Sequence, residues 1–426
     1  MTKKSDASAQ MLSFEVKKKV MKSRIFLFLS IAMIASCGLI EIGDAGLDKD
    51  SNDEIWGGPV EDEDVPSSLR QVCYMTALEY PKGYDWHSDV ASGTVRCSLR
   101  VYMNSKLIMK VPVGDEYEMA SAPDMHRIID GHLYTDYSSA EATVIKKDGV
   151  ELFRYQSRER MCGMCVLNED LFTLGESRDG AGFSYRKNGQ EIISRTNGSV
   201  LGDLRLDGDT LCFTFMDYIL TSDGYLERYY AVQNGVISQI AVREDLKKVW
   251  DTAFINGNLI YVATLTGVIN PVLINGTGMT LISLPQGAEI ISARLICSAG
   301  EICADILCRY KDGTLRNHLW KHAQFYALFP AGCNISAVCL SGGGFFCALN
   351  PAASADKGYI YRSLEQYMMP EGYMCMSRNA IALVNGILNV GLSSQKNEAP
   401  MVWKDGQLET LDINGYISAF HTQNLD

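Results

Sequence analysis

Histidine is scarce in this chain, with six among 426 residues. None of the six sits in a cluster of other ligating residues, and a metal site needs such clustering. His318 and His322 share an outer hairpin, and His126 and His132 flank a strand-like stretch. No apolar run reaches the roughly 20 residues that carry a helix across a bilayer. Amphipathic helical periodicity is missing after residue 70, so no GxSxG elbow, P-loop or dinucleotide fingerprint leads into a helix, and no cofactor is implied. Basic clusters are missing too. The formal net charge is −12, and residues 1–36 hold seven Lys/Arg against two Asp/Glu, so the rest of the chain is near −17. Such a chain has no general attraction for nucleic acid.

What is present begins near the N-terminus. Lys22 and Arg24 precede a largely apolar stretch of ten, Ile25 to Ile34, followed by Ala35, Ser36 and Cys37. A basic start, a short apolar core and small residues before a cleavage point describe a secretory signal peptide. Ile34-Ala35-Ser36-Cys37 resembles the lipobox of bacterial lipoproteins. That resemblance implies cleavage before Cys37, lipid on its sulfur, and a membrane held through that lipid at the cell envelope, on the outer membrane. Residues 1–36 are then an extended signal peptide, with either Met1 or Met21 as the start. Residues 37–66 carry Asp44, Asp48, Asp50, Asp53, Glu54 and Glu61 to Asp64. Like charge and low apolarity favour an unfolded tether. Acidic residues soon after the Cys also resemble the signal that sends Bacteroidota lipoproteins to the outer face.

Twelve cysteines follow Cys37 at irregular spacing, most of them inside apolar runs such as Cys212 in TLCFTF and Cys347 in FFCAL. There they read as small buried hydrophobes. Cys162 and Cys165 form a lone CxxC, without the second pair that a zinc site wants.

From residue 67 to 426 the dominant signal is repetition. Period-2 runs rich in Val, Ile, Tyr and Phe alternate with short polar turns: Asn104-Ser105, Asp148-Gly149, Asn188-Gly189, Asn234-Gly235, Asn275-Gly276, His322-Ala323, Ser363-Leu364 and Asp405-Gly406. Successive turns are 40–47 residues apart. LWKHAQFYALF at 319–329 aligns with VWKDGQLETL at 402–411, and Ile-Ser-Ala recurs at 291–293, 335–337 and 417–419. Four short strands per unit of this length mark a β-propeller blade. The last hairpin is followed by one more strand, at 415–422, while the first is preceded by a strand without an inner partner, at 71–80. The reading is therefore an all-β chain whose exported part is a single propeller of eight four-stranded blades, closed one-plus-three. Seven blades, or two sandwiches, are the alternatives.

A lipobox joined to blades with a WKDG-type hairpin resembles uncharacterised β-propeller lipoproteins of Bacteroidota. The GH and WD marks of WD40 blades are missing, and Ser177-Arg178-Asp179-Gly180 departs from a sialidase Asp box at Ala181. No catalytic residue carries over.

Function on a propeller concentrates in loops at one rim. The longest connection, Tyr80 to Gly93, offers Tyr84, Asp85, Trp86 and His87. A flat aromatic face flanked by hydrogen-bonding groups suits a sugar ring or a peptide. In the competing reading Trp86 folds back and caps its own blade. Tyr218 and Tyr310 lie in or near equivalent loops, and Arg158 and Arg160 in a blade-to-blade connection could add charge-assisted bonds. The expected function is a lipid-anchored binding module for glycan, peptide or a partner envelope protein. The alternative is a glycan hydrolase or lyase using axial carboxylates. Asp203, Asp251 and Asp305 lie in or near inner or second strands, where buried carboxylates also serve as structural acceptors.

Overall fold

Each repeat of apolar alternation folds as one antiparallel sheet, and the short polar turns between them are the hairpins. The computed structural model describes residues 71–89, 97–113, 126–138, 142–178, 182–221, 224–240, 245–276, 278–298, 301–321, 324–352 and 357–424. Cys37, the signal stretch, the acidic tether, residues 67–70 and His322-Ala323 lie outside them.

Eight sheets form a ring, each with four strands that we letter a to d outward from the axis. Blades 1 to 7 span 126–155, 159–195, 198–239, 246–281, 289–328, 333–368 and 373–410. Blade 8 takes strands b, c and d from Gln71–Glu79, Cys97–Met103 and Lys106–Val113, and strand a from the far end of the chain, Gly415–Asn424. The one-plus-three closure expected from the sequence is the one observed, and the blade number is eight. One expected turn shifts by a residue: Asn275 ends a strand, and the turn begins at Gly276.

The Asn/Asp turns do more than tolerate left-handed backbone. At the c–d turns of four blades the first turn residue also accepts the backbone N–H of the second residue of strand b. Asp148 bonds Leu133 N at 2.8 Å, Asn188 bonds Leu171 N at 2.9 Å, Asn234 bonds Leu211 N at 2.9 Å and Asp405 bonds Leu388 N at 3.3 Å. Its own N–H returns to the carbonyl of that same residue. One side chain thus pins a hairpin to the rest of its blade, which Gly alone cannot do.

Ile-Ser-Ala marks a recurrent irregularity. In blades 5, 6 and 8 the a–b register slips by one residue within that string, and comparable slips occur in blades 2, 3 and 4. A bulge bends and twists the strand locally, which suits innermost strands packed side by side around an axis. Blade 7 goes further: its inner strand is split into Tyr373–Met374 and Ile381–Val384.

A lone four-stranded sheet has two apolar faces and must stack to bury them. Apolar clusters sit between successive blades, from Tyr134, Ile145 and Met164 between blades 1 and 2 to Leu78, Leu99 and Leu133 between blades 8 and 1. That last cluster joins the end of the ring to its start. Closure demands close approach. A Cβ on Gly415 would lie 1.8 Å from the Leu78 carbonyl oxygen, and one on Gly391 would lie 2.5 Å from Ile417 Cγ2. Nine of the twelve described cysteines are buried and all twelve are free thiols. Burial pushes Cys165 up to about 11 and Cys303 up to about 12, so these thiols are inert fillers.

One helical turn, Trp86–Asp89, is present among the described residues. None of their helices is long and apolar enough to cross a membrane.

Candidate binding face and axis

The ring has two unlike faces. The a–b and c–d connections share one, and there they are two-residue turns such as 130–131, 208–209, 188–189 and 405–406. Every described non-glycine residue in the left-handed region lies on this face except Asn397. The b–c and d–a connections share the other face and vary in length, from two residues at 196–197 to the longer 266–271, 282–288 and 395–400. Strand Gln71–Glu79 pairs with Gly415–Asn424 from Gln71↔Asn424 onward. The chain therefore enters the propeller on the tight-turn face.

The expected aromatic loop belongs to the loop-rich face, but its indole is not open to a ligand. Trp86 is fully buried. It packs on Tyr80 at 6.2 Å and Tyr416 at 5.2 Å between ring centroids, with His87 alongside. Tyr84 stacks on Tyr80 at 5.9 Å. Polar groups strap the loop to its neighbours. Asp85 accepts from Asn397 Nδ2 at 2.6 Å, His87 Nε2 meets the Ser394 carbonyl at 2.6 Å, and Asn414 Nδ2 reaches the carbonyls of Pro81 and Tyr84. The loop caps blade 8, as the competing reading held, because a stacked aromatic group gains more by burial than by waiting in solvent.

The other expected residues are scattered. Arg158 is exposed in the connection between blades 1 and 2. Arg160, on the inner strand of blade 2, pairs with Glu176 at 2.5 Å. Tyr218 pairs across its hairpin with Glu227. The Tyr310 hydroxyl meets buried His318 Nε2 at 2.9 Å, and burial with Arg316 nearby pushes His318 down to about 4. The structure does not gather these residues into one site. The loop-rich face does carry exposed apolar side chains on three consecutive blades: Leu220 (73% exposed) and Leu226 on blade 3, Ile269 (89% exposed) on blade 4 and Leu315 on blade 5.

Of the three aspartates weighed for catalysis, two hold the fold. Asp251 accepts Leu295 N at 2.6 Å and Thr252 N at 2.8 Å, tying blade 4 to blade 5; burial still pushes it up to about 6. Asp305 accepts from Asn317 Nδ2 at 2.9 Å and Arg294 at 3.1 Å, and burial raises its carboxyl. Asp203 is exposed. Among the described residues no three His, Cys, Asp or Glu side chains converge as a metal site would require.

Two polar groups near the axis escaped the sequence reading. The first is the closing seam. Thr76 Oγ1 lies 2.8 Å and Ser418 Oγ 3.1 Å from His126 Nε2, joining blade 8 to blade 1, and the His421 ring packs edge-on against His126 at 5.8 Å. Neither His126 Nδ1 nor His421 Nε2 has a partner or solvent contact. Burial, with Arg127 adding to it, pushes His126 down to about 4, and burial with His126 and Arg127 nearby holds His421 well below its ordinary value. The second group is a set of inner-strand arginines. Arg127 and Arg205 both stand at the third residue pair from an a–b turn, opposite Tyr134 and Cys212. Aligning the repeat on those turns, rather than on the hairpins, is the signal that exposes them.

No family model matches the chain, and no curated protein matches it. Several solved structures resemble it in fold. One is the β-propeller domain of the trilobed protease from Pyrococcus furiosus, described as having an open velcro topology, at 9% identity over 71% of this chain and 93% of that one, with a TM-score of 0.43. A puromycin-hydrolysing peptidase of Mycobacterium tuberculosis shares 10% identity over 69% of this chain, with a TM-score of 0.45, and this chain spans about half of it, 53%. An acylaminoacyl peptidase of Pyrococcus horikoshii shares 10% identity over 83% of this chain and 63% of its own length, with a TM-score of 0.43. Each likeness is one of fold alone.

Proposed function

We propose that this chain is a cell-envelope binding or interaction module, lipidated on Cys37 and carried by the acidic tether, whose loop-rich face meets a glycan, a peptide or a partner envelope protein. The asymmetry of the two faces carries the reading. The described chain enters the propeller at Gln71 on the tight-turn face, opposite the loop-rich face. That face bears the irregular connections and the exposed Leu220, Leu226, Ile269 and Leu315. Apolar side chains displayed on adjacent loops favour contact with another macromolecule. The test has two arms. Intact mass of the protein made in a bacterial host should show an N-terminus at Cys37 with acyl mass. A glycan and peptide array, paired with turnover assays on any hit, should give a ligand that is bound and not converted. A different N-terminus or an absence of acyl mass ends the anchoring reading, and turnover ends the binding-module reading.

A further inference from the structure

We propose that the cleft between the outer strands of blade 4 and blade 5 is a binding site for a small aromatic molecule, an uncharged phenol that packs on Trp320. A cavity of about 520 Å³ lies there. Blade 4 lines it with Leu273 and Asn275 from strand c and Gly278 and Thr280 from strand d, and blade 5 with Ala304 from strand b and Trp320 from strand c. Its volume falls in the range of small-molecule pockets, about 300–1,000 Å³. Asn275 and Gly278 are exposed, so the cavity reaches solvent beside the c–d turn of blade 4, on the tight-turn face and apart from the loops of the opposite face.

The repeat itself shows what such a cleft holds when the protein closes it. Trp320 and Trp403 take the same place in the aligned strings LWKH and VWKD, each just before the lysine that ends strand c. Between blades 6 and 7, Trp403 meets Tyr367 from strand d of the preceding blade, with ring centroids 5.2 Å apart. Tyr367 is the third residue of its strand and pairs with Ile360. The third residue of strand d in blade 4 is Thr280, paired with Leu273. Blade 4 therefore offers Trp320 a threonine where blade 6 offers Trp403 a phenol ring, and Thr280 and Trp320 both border the cavity. Gly278 stands where blade 6 has Glu365, so the first residue of the strand adds no side chain either. The cleft between blades 2 and 3 is closed by aromatic groups from both sides, with Tyr185 and Phe213 at 5.0 Å. A ring entering beside Thr280 covers the indole as Tyr367 covers Trp403, in the kind of contact that aromatic pairs favour. The apolar walls disfavour a charged ligand. Asn275 and Thr280 supply donors and acceptors for a hydroxyl group.

The experiment is calorimetric titration of the purified protein with p-cresol and with 2-naphthol, against cyclohexanol as a hydroxylated ring without an aromatic face. Saturable binding of at least one phenol is expected, at one site per chain and at least about threefold tighter than cyclohexanol. Thr280→Tyr supplies in blade 4 the ring that Tyr367 supplies in blade 6, and should abolish the binding in a protein that keeps its cooperative melt. If Thr280→Tyr does not fold, Thr280→Leu carries the same test with a smaller group, and a loss of binding is expected there too. Trp320→Leu should weaken binding at least about tenfold, whereas Trp403→Leu, at the equivalent place in blade 7, should bind like the parent. No saturable binding of either phenol, equal binding of cyclohexanol, parent-like binding by the Thr280 variant or by Trp320→Leu, or an equal loss in Trp403→Leu each overturns the proposal.

Discussion

The tight-turn face and the loop-rich face are made by the same strands and obey different constraints. On the tight-turn face every connection must reverse the chain in two residues, so Asn, Asp and Gly recur and the side chain of the first residue clamps the blade. On the loop-rich face the chain must step between strands c and b or between blades, and length, sequence and chemistry vary freely. The first face is where repetition is written. The second is where this protein differs from blade to blade, and even there its longest aromatic loop is used to seal the ring.

That contrast can be broken most severely at the seam, where the two ends of the chain meet. Gly415→Val places side-chain atoms where the Leu78 carbonyl already is. We expect a loss of more than about 4 kcal/mol and a collapse of the cooperative thermal transition, read by circular dichroism on heating. A retained sharp melt would show that the seam can yield.

Trp86→Ala tests whether the loop is a cap. Removing a fully buried indole should cost about 3 kcal/mol or more and lower the melting temperature by several degrees. An unchanged melt would return the loop to the loop-rich face as an ordinary mobile connection.

Acid acts on the seam as well. His126 is neutral in the fold, with its ordinary value of 6.5 pushed down to about 4, so the unfolded chain binds the extra proton. Stability from this group is full above pH 6.5 and is lost as pH falls from there to about 4, by an amount on the order of 2 kcal/mol. Asp251 works in the opposite sense. Its carboxyl is raised to about 6 and gains a proton more readily folded than unfolded, so acid relieves it. Urea melts at neutral pH and near pH 4.5 should show a net loss for the parent, a smaller one for His126→Gln and a larger one for Asp251→Asn. Identical acid sensitivity in all three would remove the seam from the account.

The smallest pair of effects compares the faces directly. Asn188→Ala deletes a clamp on Leu171 N and puts a methyl at φ 48°, and should cost about 1–2 kcal/mol. Arg158→Ala, on the opposite face, should stay within about 0.5 kcal/mol. Chemical denaturation of both variants decides the matter; equal costs would mean that the two faces are not held differently.

Fold was legible because it rests on local rules repeated eight times. Period-2 alternation, Asn-Gly and Asp-Gly turns and the recurrent Ile-Ser-Ala string each speak within a few residues, and together they set strand, hairpin, blade and closure. Site residues do not repeat in that way. Tyr84, Asp85, Trp86 and His87 look like a binding loop in composition, and only the approach of Tyr416 and Asn397, more than 300 residues away, turns them into a cap. Separation in the chain also hid the seam, where Thr76 lies 50 residues and Ser418 292 residues from His126.

What the amino-acid order determined by itself is the architecture: an all-β ring of eight blades, because short-range turn chemistry and alternation suffice to specify each blade and the unpaired strands at either end leave one way to close. What only the tertiary structure decided is which side chains are buried and which are paired. Those outcomes depend on contacts between blades far apart in the chain, where burial energy and electrostatics are settled by the ring as a whole.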